Sequence, residues 1–161
     1  MHSGPLLLAF AAALAPSADP AERLFASGAW AAHRFGARCE AGSRPLHPAR
    51  IREQAARAGF LFDPARRRIG EFHVRLSRAP RPGSSVILTI GTRPFLLVSR
   101  GPWAWSRGPA QDAAIIAAAR SAGGMRVEAR DGSGRRFADR YLLAGAATAI
   151  DAAAAGCAGK S

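Results

Sequence analysis

Only two cysteines occur in this chain, Cys39 and Cys157, and they bracket nearly everything that follows its apolar start. A bond between them would tie the beginning of a domain to its end, so the fold must be one that brings those two segments into contact. Whether such a bond forms depends on the compartment, which the first residues address. From Pro5 to Ala18 the sequence is apolar or small, with Leu6, Leu7, Leu8, Phe10 and Leu14 at its centre and the first charge at Asp19. A membrane-spanning helix needs about 20 such residues. The run therefore matches a signal peptide over residues 1–18, with cleavage expected between Pro16 and Asp19, although its n-region holds His2 and no Lys or Arg. In an oxidising, exported setting two lone cysteines read as a structural disulfide, not as a metal site or as a nucleophile beside His33. The expected location is periplasmic or secreted.

Residues 19–161 are the size of one domain with its own core. They carry the whole formal net charge of +12, and every basic residue except Lys160 is an arginine. Such a charge favours anionic partners, and in an exported protein these are anionic lipid headgroups, lipopolysaccharide or acidic glycans, with envelope proteins as a further class of partner. Nucleic acid is not expected, because Arg66, Arg67 and Arg68 sit in a turn-like Asp-Pro-Ala-Arg-Arg-Arg run, with no interleaved aromatic residues. No second apolar run follows the leader, so no transmembrane anchor is expected once it is removed.

Along the chain, Ala21–Ala32 reads either as a short frayed helix or as an extended lead-in to Trp30, and Ala41–Ala58 as a connection with a helical turn at 50–58. The middle is clearer. Glu71–Ser77 alternates, placing Phe72, Val74 and Leu76 on one face and His73 and Arg75 on the other. Phe60 and Phe62 mark a strand before it, while Ser85–Ile90 and Phe95–Ser99 mark strands after it, separated by Pro/Gly-rich turns. Trp103 and Trp105 share a face if their segment is extended. Pro109–Ala122 then changes to a helical period, with Asp112 in its first turn and Gly123-Gly124 as its stop. Met125–Arg130 and Arg135–Tyr141 flank Asp131-Gly-Ser-Gly134 as a hairpin. Leu143, Ala147, Ile150, Ala154 and Cys157 form the stripe of a closing helix. The expected fold class is α+β, mainly an antiparallel β-sheet or small sandwich, with two helices at about 110–122 and 143–157.

Chemistry is harder to find. The histidines beyond the leader, His33, His47 and His73, form no H-x-x-x-H or H-E-x-x-H pair, and no Gly-x-Ser-x-Gly elbow, Ser-x-x-Lys or Walker loop is present. No catalytic, metal or cofactor residues are therefore assigned, and no cofactor is expected. Trp103, Trp105 and Arg75 are candidates for a ligand surface, since paired indoles suit glycans or lipid headgroups, with core or edge packing as the other reading of the two tryptophans. Two other readings stay open: an envelope hydrolase whose active residues converge only in three dimensions, with His73, Glu71 and Asp139 as candidates, and a chaperone-like partner of outer-membrane proteins.

The order and spacing of several pieces is familiar: Trp30, Cys39-Glu-Ala-Gly-Ser43, Gly83-Ser-Ser-Val-Ile-Leu-Thr-Ile-Gly91, Ala104-Trp105, the helix Asp112–Arg120, and Asp139-Arg-Tyr-Leu-Leu-Ala-Gly145 leading to Cys157. Together they resemble the invasion-associated locus B family. That resemblance implies a small, exported, mostly β envelope protein of alphaproteobacteria, with a cysteine at each end of the domain and no catalytic residues to carry over. This chain differs in having Ala146 where such proteins tend to place an aromatic residue, and in its 41–58 segment.

Overall fold

Alternating apolar residues and turn glycines recur along ten strands between residues 22 and 142, interrupted by a helix at Pro109–Ser121. The computed structural model describes residues 20–47 and 55–159. The expected signal peptide and most of the expected 50–58 turn lie outside them, and Arg57 and Ala58 of that turn belong to a strand. In chain order the elements are β1 (Glu22–Ser27), β2 (Trp30–Phe35), β3 (Arg38–Ser43), β4 (Arg57–Asp63), a 3-10 turn (Pro64–Arg66), β5 (Arg68–Arg75), β6 (Val86–Ile90), β7 (Arg93–Arg100), β8 (Trp103–Trp105), α1 (Pro109–Ser121), β9 (Gly124–Arg130), β10 (Arg136–Leu142) and α2 (Ala146–Cys157). The α+β class holds.

The ten strands form a sheet in the order β1-β2-β3-β4-β5-β8-β7-β6-β9-β10, antiparallel throughout. Of the two readings of Ala21–Ala32, helix or extended lead-in, the segment is extended, as the hairpin β1–β2 turned at Gly28 (φ 59°). Cys39 sits in a strand of its own, because Cys39, Ala41 and Ser43 alternate inward. β7 makes the corner of the sheet: Arg93–Leu97 pair with β6, and Val98–Arg100 pair with β8. Curvature brings the two ends together. The Trp30 indole Nε1–H donates to the Leu142 carbonyl at 2.8 Å, and the Leu46 amide donates to the Arg140 carbonyl at 2.8 Å. Nearby, Tyr141 is buried with no hydrogen-bond partner for its hydroxyl among the described residues. Burial, helped by the Asp139 carboxylate, pushes the phenol well above its ordinary pKa.

Both helices lie on one face, α2 across β1–β4 and α1 over β5. Between helices and sheet is a core that includes Phe60, Phe72, Val74, Leu88, Val127, Ile115 and Ile150. Small helix residues allow close approach. The buried stripe of α2 is Ala146, Ala149, Ile150, Ala153 and Cys157, whereas Ala147 and Ala154 of the expected stripe are half-buried. The helix starts at Ala146 instead of Leu143 because Gly145 adopts a left-handed conformation (φ 90°) that breaks the helical path. At its far end, Cys157 is bonded to Cys39 of β3, with Cα atoms 5.8 Å apart.

α1 is fixed to the sheet by a buried acid. β5 carries a bulge at Gly70 (φ 74°), where an added Cβ would lie 2.6 Å from the Ile116 Cδ1 atom of the helix. Two residues on, the Phe72 carbonyl accepts from Ser106, just past the short strand β8. The Phe72 amide donates to Asp112 Oδ1 at 3.0 Å. Asp112, expected from sequence only as a favourable charge in the first turn, is thus a buried link between helix and strand.

Candidate functional site

The helices leave the opposite face of the sheet open, and strand pairing decides which side chains meet there. Cross-strand partners share a face. One row runs Arg57, Arg75, Trp103, Arg100 across β4, β5, β8 and β7. The next runs Ala31, Gly42, Gly59, His73, Trp105, Val98, from β2 to β7. The Arg57 guanidinium lies 4.9 Å from the Trp103 ring centroid, a cation–π contact. Trp103, Trp105 and Arg75, the expected ligand surface, are thus neighbours on one open face, all three half-buried.

Within the second row the side chains shrink to almost nothing. Ala31 and Gly42 are low ground between taller neighbours, and over them opens a groove of about 600 Å³ bordered by Arg23, His33, Phe35, Glu40, Arg44 and Arg57. Glu40 of β3 reaches across β4 to His73 of β5, placing Oε1 3.1 Å from Nε2. Gly59 permits this bridge. An added Cβ there would lie 2.9 Å from Glu40 Oε1, 3.0 Å from the Ala41 carbonyl oxygen and 3.0 Å from His73 Cε1. The hydrogen bond from His73, strengthened by the charges of His73, Arg57 and His33 against a smaller opposing effect of burial, holds the Glu40 carboxyl below its ordinary pKa. The pair therefore contributes its full stability above the ordinary carboxylate range and loses it as pH falls through the depressed value.

Gly59→Ala is expected to lower stability by about 1–3 kcal/mol, because the Ala41 carbonyl is backbone and cannot yield as a side chain would. Most of that loss should overlap with the loss in Glu40→Gln when the two are combined in a double-mutant cycle. Additive costs in chemical denaturation would show that the glycine does not serve the bridge.

The hydrolase trio does not assemble. Glu71 is on the same face as His73 but faces Arg68 at 3.6 Å, and Asp139 is buried on β10, accepting from the Ser77 amide at 2.9 Å. His73 instead has Glu40 as its partner, a residue that sequence reasoning passed over. The available signal was Gly59, a glycine inside an otherwise bulky strand, which marks a close approach across the sheet. Among the described residues, no group of three or more His, Cys, Asp or Glu is placed to hold a metal ion, and no helix is long and apolar enough to cross a membrane. Compared with known proteins, the chain matches no family model, no curated protein and no solved structure.

Proposed function

We propose that this chain is a non-enzymatic, exported envelope protein of the invasion-associated locus B type, which binds anionic envelope components through the groove on its open face. The observation that carries the reading is the charge balance of that groove. Arg23, Arg44 and Arg57 border it, and none lies within salt-bridge distance of a carboxylate among the described residues. Among the described residues the one carboxylate lining the groove, Glu40, is bonded to His73. Unpaired guanidiniums around a concave floor suit phosphate or carboxylate groups, which arginine can take in two parallel hydrogen bonds. Export is supported by the apolar leader and by a disulfide that an oxidising compartment would preserve.

The test is retention on lipopolysaccharide or on vesicles containing phosphatidylglycerol. Arginines near an anionic surface contribute about 1 kcal/mol each, so Arg23→Gln, Arg44→Gln and Arg57→Gln together should weaken retention on the order of 100-fold. Retention by the parent protein should also fall steeply as salt is raised. Binding that ignores both the substitutions and the salt would overturn the proposal.

A further inference from the structure

Beyond the groove, the open face changes character. Val98 stands opposite Trp105, Leu96 lies two residues before Val98 on the same face of β7, and Ile87 of β6 stands opposite Leu96. Ile87 is 38% exposed, Leu96 43% and Val98 39%. Exposed apolar residues scattered singly are ordinary. Here the register places them with Trp105 in succession on three adjacent strands, as an apolar strip.

The strip's border is basic on one side and holds an ion pair on the other. Along one side run Arg57, Arg75 and Arg100, in register with Trp103. None of them has a carboxylate partner among the described residues. The acids on this face are already occupied: Glu128, opposite Ile87, is bonded to Arg126 at 2.8 Å, Glu71 faces Arg68, and Glu40 is held by His73. Aliphatic side chains flanked by indoles and then by uncompensated arginines match the layers of an anionic leaflet, from acyl chain through the headgroup boundary to phosphate.

We infer that this face lies on an anionic lipid leaflet, with Ile87, Leu96 and Val98 entering the acyl boundary, Trp103 and Trp105 at headgroup depth, and Arg57, Arg75 and Arg100 on the phosphates. The inference rests on the anionic-surface reading above and adds an apolar contact that charge alone does not supply. It commits to a bilayer. A protein partner covering the strip would leave the strip without effect on vesicles.

The protein's own tryptophans report the outcome. Of the three, Trp30 is enclosed in the core and the other two lie on this face. On phosphatidylglycerol–phosphatidylcholine vesicles whose acyl chains carry bromine, emission of the oxidised protein should be quenched, and Trp105→Phe should remove a large part of that quenching. Ile87→Thr, Leu96→Thr and Val98→Thr combined keep β-branched or strand-tolerant residues at exposed positions, and should reduce retention on the order of tenfold at fixed salt. If that triple variant melts early, Leu96→Thr alone should give a smaller loss in the same direction. Unquenched emission with full retention by the apolar variants would overturn the strip while leaving the basic groove intact. Failure to bind at low salt would overturn both.

Discussion

Reduction of the Cys39–Cys157 bond, or its removal by Cys39→Ala with Cys157→Ala, is expected to cost this protein about 4–5 kcal/mol. The bond joins residues 118 apart in sequence, and cross-linking a loop of that length removes much of the freedom of the unfolded chain. Domains of this size are stable by only about 5–15 kcal/mol, so the loss consumes a large fraction of the total. Both sulfurs are buried between β3 and the end of α2, which leaves little access for a reductant until the structure opens. Unfolding in urea with and without reductant measures the difference. A midpoint that moves by less than about 1 kcal/mol equivalent would show that the packing of α2 on β1–β4, and not the covalent link, holds the two ends together.

Trp30→Ala is expected to be nearly as damaging, at about 3–5 kcal/mol. Trp30 is among the largest side chains fully enclosed in the core, and its ring packs 6.0 Å from that of Phe60. It is also the hydrogen-bond donor that joins the first hairpin to β10 through the Leu142 carbonyl. Truncation would open a cavity and leave that carbonyl without its donor. Trp30→Phe separates the two effects. It keeps most of the apolar volume and should cost about 1–3 kcal/mol for the lost bond and the partial void. Equal costs for the two substitutions would assign the whole effect to the hydrogen bond.

How much of this was legible depended on contrast between neighbouring side chains. In β5, large apolar residues alternate with charged ones, and the expected inward set of Phe72, Val74 and Leu76 is the buried set. The same contrast exposed α1 and the β9–β10 hairpin. In β1–β3 it vanishes, since Ala26, Ala31, Ala32, Ala41 and Gly42 look alike whichever way they point. Strand order was less accessible still. Consecutive strands joined by Pro/Gly-rich turns suggest neighbours in chain order, yet β8 inserts beside β5, a pairing only three residues long. That Trp103 and Trp105 share a face follows from a period of two along the chain, whereas Arg75 joins them only through the pairing of β5 with β8. The Glu40–His73 bridge needs the strand order too, because its partners stand on strands separated by a third and meet only where Gly59 leaves room.

A chain synthesised from its N-terminus presents Cys39 long before Cys157 exists. The hairpins β1–β2 and β4–β5 need only neighbouring sequence, but Cys39 has nothing to bond until α2, the last element, is complete. The disulfide therefore reports that synthesis has passed α2: a product ending before Cys157 keeps Cys39 of β3 without its partner.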